Sequence, residues 1–473
     1  MKKGFAYLLI IWLLLCPIFA FSLEEAEVQS SVSSNSISAL STFSFGVYWS
    51  WERTPWVARQ AHLDKWELTQ ALMNKLSRDY GINALWVVNI PDKDLVRFCQ
   101  LAEKYHLSIY ALPEAAVNWR NQKYRETPET IAESITINLS QLPALKGYVL
   151  ADEPEAAEMG YMESLLQALT KRDPTRFSLT VTPRRNLAAL SGQTCLPVLA
   201  LDIYPFFGPG NPNGPHAMDT SLAYYRHWLG ELSKAADNTQ RLCWVMPQAF
   251  EETYGPWHYD AEGKVVYEKG SFLQWRMPRP EEIEWQFWES LRSGMKGIFY
   301  FCLLPVPNGM TSSQSPDKEL PIPASLIQPG WPVLAAESTS HSGTGLLSIQ
   351  GKETQKLKRL GQLFKQAAHH QQLLSRMRKS DIKINLESPF TSTAYIDPAS
   401  GKQILIIVND DMAKPHQVEG IIESSQLNFQ TLFTRKGEFK MKKKAVGNST
   451  FQINLPAGGG ICLISNPVYQ IPK

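Results

Sequence analysis

The sequence predicts a (β/α)8 barrel followed by a small antiparallel β-sandwich, and three features carry that expectation. Between Phe43 and about Met377, short strands that are apolar on both faces alternate with amphipathic helices. Strands of that kind belong to a parallel sheet covered by helices all round. They number eight in about 260 residues, the size and count of a TIM barrel. A doubly wound open sheet is the competing architecture, but eight strands are many for it, and no Gly-rich phosphate loop follows the first strand. From Asp381 onward the texture changes to alternating strands joined by Gly, Asn and Asp turns, the pattern of an antiparallel sandwich.

The elements follow in order. "MKKGFAYLLIIWLLLCPIFAFS" joins Lys2 and Lys3 to an apolar run with small residues at Ala20 and Ser22, so residues 1–22 read as a secretory signal peptide. Residues 23–42 are polar, Ser-rich and without period, as a tether would be. "FSFGVYWSW" is the first strand, and the helix after it stacks Leu68, Leu72 and Leu76 on one face and ends at Gly81. "INALWVVN" leads into a helix carrying Leu95, Phe98, Ala102 and Tyr105 at helical spacing. "LSIYALPE" leads into "ETIAESITINLSQL", and "GYVLADEP" into "YMESLLQALTKR". "FSLTVTP", "VLALDIYPFF", "RLCWVMPQAF" and "KGIFYFCLLP" are strands five to eight. A Pro-rich stretch beginning at Leu304 breaks the pattern, and "TQKLKRLGQLFKQAAHHQQLLSRM" closes the barrel domain, residues 43–377. Residues 381–473 form the sandwich; its acidic side chains are scattered, so no catalytic role is expected of it.

Composition narrows the function. The formal charge of +2 comes from nearly balanced acids and bases and leaves no electrostatic footprint for nucleic acid. After loss of the signal peptide, five cysteines without tight spacing remain, which argues against a disulfide framework and a zinc site. The protein is therefore expected to be exported, to be periplasmic or extracellular, to hold no membrane segment after cleavage, and to use no metal and no cofactor. Fourteen Trp, 17 Tyr and 20 Phe exceed what a core of this size must have, leaving rings for exposed stacking surfaces.

In such barrels the working residues lie at the C-terminal ends of strands and in the loops after them. Those ends hold Trp49 and Trp51, Asn89, Glu114, Asp152 and Glu153, Arg184 and Arg185, Asp202 and Tyr204, and Gln248 with Glu251 and Glu252. Asp152 and Glu153 precede Pro154 where an apolar strand meets a helix. One of them can cap that helix; two acids on top of a buried strand exceed what a cap needs, and burial is costly unless each is paired. Asp202 is the one carboxylate in an otherwise apolar strand. It is either a structural ion-pair partner, with Arg184 or Arg185, or a residue that faces substrate or orients Glu153. The long segment after the seventh strand carries Tyr254, Trp257, Tyr259 and Trp275; it is either a substrate wall or a hairpin turning at Glu262 and Gly263. Rings beside carboxylates suit a sugar, whose C–H face stacks on indole or phenol.

A barrel strand ending in Asp-Glu-Pro, the later "DIYPFF", the seventh strand "WVMPQAF" and "RPEEIEWQFWESLRSGMKGIFYF" resemble secreted bacterial glycoside-hydrolase-like (β/α)8 proteins that carry a C-terminal β-domain. The resemblance covers Phe43 to about Met377. It implies an acid/base at Glu153, the end of the fourth strand, and a nucleophile at the end of the seventh, where this chain has Gln248. It thus departs from the family pattern at one of two catalytic positions. The expected activity is glycoside hydrolysis of an oligo- or polysaccharide, with Glu153 as acid and Glu251 or Asp202 as second carboxylate; Glu252 is a further candidate. Trp49, Trp51, Asn89, Glu114, Asp152, Tyr204, Gln248 and Trp257 are expected to bind substrate. The alternative is a barrel without activity that only binds carbohydrate at the cell surface.

Overall fold

The computed structural model describes residues 42–306 and 345–466, apart from short stretches at 122–125, 194–195, 210, 212–213, 216, 255–256, 263–264, 268–271, 424–426 and 444–447. The expected signal peptide, the tether and most of the Pro-rich stretch lie outside the described residues.

Seven strands, β1 (Ser44–Ser50), β2 (Ala84–Val88), β3 (Ser108–Ala111), β4 (Leu145–Asp152), β5 (Phe177–Pro183), β6 (Val198–Ile203) and β7 (Leu242–Pro247), lie side by side in parallel. Four short strands are inserted next: β8 (Glu252–Tyr254), β9 (Trp257–Tyr259), β10 (Val265–Tyr267) and β11 (Phe272–Trp275). β12 (Gly297–Tyr300) then pairs with both β7 and β1 and closes the barrel. β9 pairs with β10 and β8 with β11, all antiparallel, so the long segment is built of nested hairpins.

A helix follows every barrel strand: α1 (Lys65–Arg78), α2 (Asp92–Lys104), α3 (Pro128–Leu139), α4 (Met159–Arg172), the short α5 (Leu187–Ser191), α6 (Met218–Thr239), α7 (Pro280–Arg292) and α8 (Gln355–Ala368). Local chemistry fixes where they start. Asp64 accepts from the Trp66 amide at 2.8 Å while Glu67 reaches back to the Asp64 amide at 2.9 Å, a reciprocal cap that opens α1. Thr127 caps α3, whose first residue is Pro128.

The barrel interior is filled with rings. Trp244 lies 5.1 Å from Phe299 and 5.0 Å from Tyr110, and Trp86 lies 5.8 Å from Phe299, centroid to centroid. Such volume fits only because facing strands supply glycine: a Cβ on Gly46 would come within 2.3 Å of Phe299, and one on Gly297 within 2.7 Å of Trp244. This aromatic floor sets the parity of β1. Gly46, Tyr48 and Ser50 point inward, whereas Phe45 packs on Phe364 of α8 and Trp49 on Phe98 of α2.

The C-terminal region consists of a five-stranded and a four-stranded antiparallel sheet with a second apolar core between them, around Leu405, Phe451 and Ile453. It docks on α7. That helix is buried nearly all round, from Glu282 to Leu291, because one face meets the barrel and the other the sandwich. Its acids are buried because they are paired: Arg435 of the sandwich donates to Glu284 at 2.7 Å and Arg276 to Glu282 at 2.8 Å, while Trp285 donates to Asp410 of the sandwich at 3.0 Å. No helix among the described residues is long and apolar enough to cross a membrane.

Candidate active site

A cleft of about 910 Å³ opens at the C-terminal end of the barrel. Its acids are Glu52, Asp152, Glu153, Asp202, Glu251 and Glu252, its cations Arg53, Arg184 and Arg185.

β4 delivers the central pair of acids through an irregularity in its register with β5 between Val149 and Asp152. Asp152 accepts from the hydroxyl of Tyr48 at 2.7 Å. Burial, and next the Asp152 charge, hold that phenol well above its usual range, so Tyr48 stays a donor. Glu153 follows in the left-handed region, φ 48°, with its amide bonded to Val181 O at 3.1 Å. That conformation costs a non-glycine residue roughly 1–2 kcal/mol. It turns the Glu153 carboxyl into the cleft, where it is exposed. Neither acid caps the helix that follows: the reciprocal cap is made by Glu155 and Glu158, with the Glu155 amide on Glu158 Oε2 at 2.7 Å.

Asp202, on β6, is buried against Glu153. The two carboxyl groups are within hydrogen-bonding reach, and the Asp202 charge, followed by desolvation, pushes Glu153 well above the usual carboxylate range. Asp202 is itself raised, chiefly by burial. Two carboxylates this close resist carrying both charges at once, which favours a proton held between them. Arg185 opposes the rise at both groups, and Glu252 adds to it at Glu153.

Around this pair, Tyr204 packs edge-on against Phe250 and Trp275, at 4.8 and 5.6 Å, beside Phe301 at 6.0 Å. Asn89, in the left-handed region at φ 55°, lines the opposite wall and bonds Glu52. Arg53 donates to Cys302 Sγ at 3.4 Å and to Leu304 O at 3.3 Å. Glu251 faces the Lys356 ammonium, and buried Glu252 starts the hairpin strand β8. Among the described residues no group of three His, Cys, Asp or Glu side chains is arranged to hold a metal ion.

Of the residues expected at the site, Asn89, Asp152, Glu153, Asp202, Tyr204 and Glu251 line the cleft. Four do not. Trp49 is fully buried on the outer face of β1 and donates to Thr54 Oγ1; Trp51 is buried beneath the loop and donates to Asp94. The ring expected from β1 is instead supplied by Tyr48, one residue earlier and on the inner face. Glu114 opens a helix at the rim, where it and Asp92 bond each other's amides. Gln248 is wholly buried: its Oε1 accepts from Phe206 N at 2.9 Å, and its Nε2 donates to the carbonyls of Phe206, Phe250 and Arg276 at 3.3, 3.2 and 2.8 Å. It ties the β6 and β7 loops together and has no donor left for a sugar. Trp257 belongs to β9, but its side chain lies outside the described residues. The cleft residues that sequence reasoning passed over include Tyr48, Glu52, Arg53, Tyr224 and Phe250. Glu52 and Arg53 stand directly after the first strand, where charged neighbours were the available signal.

The chain matches no family profile and no curated protein by sequence. Among solved structures it is similar to a glycoside hydrolase, with a TM-score of 0.52 and 9% identity over 89% of this chain and 92% of that one. It is also similar to a β-glucuronidase from Ruminococcus gnavus, with a TM-score of 0.45 and 10% identity over 68% of this chain. The match covers 50% of that enzyme, so the chain spans about half its length. A family 5 mannosidase from Rhizomucor miehei gives a TM-score of 0.42 and 11% identity over 69% of this chain and 94% of that one. At these identities the likeness is one of fold: a TIM barrel with a β-sandwich, the architecture of glycoside-hydrolase-like proteins.

Proposed function

We propose that the protein hydrolyses a glycosidic bond in an oligo- or polysaccharide, with Glu153 as general acid. The observation that carries this reading is the Glu153–Asp202 pair in the cleft. A carboxyl raised well above its usual range holds its proton to higher pH than an ordinary carboxyl does and can deliver it to a leaving glycosidic oxygen. Asp202 serves as the positioning residue: it lies too close to Glu153 to be the second carboxylate, which in such hydrolysis stands about 5 Å away or more. That second group comes from the loop after β7. Glu252, whose charge already acts on Glu153, is the better placed, with Glu251 beside it. Water enters as the sugar's anomeric carbon loses the leaving oxygen; one of its protons goes to the second carboxylate and its hydroxyl to the anomeric carbon. The rings of Tyr204, Phe250 and Trp275 form the wall on which a pyranose stacks.

One observation favours a second reading, a barrel that binds glycans without cleaving them. The seventh-strand position where the resembling family keeps its nucleophile holds Gln248, and that amide is wholly engaged with backbone. The test is a screen of neutral and acidic oligosaccharides with the wild type and with Glu153→Gln, Glu251→Gln and Glu252→Gln. Cleavage lost in Glu153→Gln and in one loop variant supports the enzyme; binding of a glycan that is never cleaved supports the binder.

We also propose that the chain is exported, on the strength of its first 22 residues. Mass spectrometry of protein from its native host is expected to show a mature start near Leu23; a start at Met1 contradicts it.

A further inference from the structure

We infer that the cleft takes an acidic glycan, and that Arg184 receives the carboxylate or sulfate group such a glycan carries. The inference rests on the carbohydrate reading given above and names the substrate class. Six carboxylates and three guanidinium groups line the cleft, and two of the three cations stand beside an acid: Arg53 lies 3.6 Å from Glu52, and Arg185 pairs with Glu155 outside the cleft at 3.0 Å. Arg184 is different. It lines the cleft at the end of β5, and among the described residues no acid pairs with it. Its partners are the Tyr224 hydroxyl, to which it donates, and the faces of Tyr224 and Trp228, whose centroids lie 4.9 and 5.9 Å from its Cζ.

That arrangement suits an anion. A guanidinium has five N–H donors in a planar fork that matches a carboxylate or sulfate, and one bond to a neutral phenol leaves most of them for a ligand. Packing against two rings holds the fork in place, so little freedom is lost when a ligand arrives. The wall beyond it continues the same surface: Phe207 lies 5.6 Å from Tyr224 and 6.2 Å from Trp275, whose Nε1 donates to no described atom. A sugar stacked along those rings with an acidic substituent toward β5 places its anionic oxygens at Arg184. β5 lies between β4 and β6, so Arg184 stands beside the strand ends that carry Glu153 and Asp202, and an anion held there lies next to the bond to be broken.

The experiment is a binding array of uronic-acid, sulfated and neutral oligosaccharides, read with the wild type, Arg184→Gln and Arg184→Lys. The variants are first matched to wild type by thermal melting. The wild type is expected to prefer acidic glycans, with affinity falling as salt rises. Arg184→Gln is expected to lose about tenfold or more, the scale of one charge-assisted hydrogen bond, and Arg184→Lys to recover part of it. Comparing the uronic-acid and sulfated sets identifies which anion is read. Preference for neutral glycans, or undiminished binding of acidic ones by Arg184→Gln, overturns the inference while leaving the carbohydrate reading intact. Failure to bind any glycan overturns both.

Discussion

Replacing Gln248 by Ala tests whether that residue works for the fold or for a ligand. Its side chain makes four hydrogen bonds, all to backbone and three of them fully buried: one from Phe206 N and three to the carbonyls of Phe206, Phe250 and Arg276. Alanine removes the side-chain partner of Phe206 N and of the Phe250 and Arg276 carbonyls, leaves Phe206 O with the Arg276 amide at 3.0 Å, and opens a cavity. Each buried polar group left unmade costs about 1–3 kcal/mol, and relaxation of the two loops returns part of that, so a net loss of about 3–5 kcal/mol is expected. Gln248→Glu should be no better, because a carboxylate in place of Nε2 faces three carbonyl oxygens. Urea unfolding reads the effect as a lower midpoint at unchanged slope. Glycan affinity, measured well below the midpoint, should fall only as far as Phe250 and Trp275 shift. A variant as stable as wild type that had lost only sugar binding would refute the reasoning and return Gln248 to the binding surface.

Two further outcomes follow from the same geometry. Trp49→Ala should cost about 3–5 kcal/mol in unfolding experiments, the scale of an emptied aromatic site, while leaving glycan affinity unchanged, since the ring faces α2 rather than the cleft. Asp202→Asn should remove a pH dependence. Glu153 and Asp202 are both raised in the folded protein, so their contribution is fully present below the unfolded carboxylate pKa and is lost as pH rises through the folded value. Wild-type stability should therefore fall from acid toward neutral and alkaline pH relative to Asp202→Asn, as read from urea midpoints at pH 5 and pH 8; parallel profiles would mean the pair is not coupled.

The barrel was legible because its strands are apolar on both faces and its helices carry a clear stripe. That same property hid part of the site. When both faces of β1 are apolar, period-2 alternation shows two faces without telling which is inward, so Trp49 and Trp51 read as site residues and Tyr48 did not. Parity was decided by packing, through the rings that demand Gly46 and Gly297 opposite them. Gln248 was misread for a different reason: an amide at a strand end has the same donors and acceptor whether they meet a sugar or a carbonyl. Asp152 and Glu153 were readable as surplus to a cap, and the Glu155–Glu158 cap bears that out. Tyr224 carried no strand-end signal, because it reaches the cleft from α6. The contact between Asp202 and Glu153 joins residues 49 positions apart on β4 and β6, strands that β5 separates, and only barrel closure brings their ends together.

The most direct test of the account is how the Glu153→Gln rate depends on the leaving group. On a glycan with an unactivated sugar leaving group, the variant should be slower than wild type by about 10²–10⁴-fold, the usual worth of general acid catalysis. On aryl glycosides of the same sugar with acidic phenols, which leave without protonation, most of that loss should vanish. A variant that hydrolyses the unactivated glycan at the wild-type rate, or loses equally on both substrates, would contradict Glu153 as the acid.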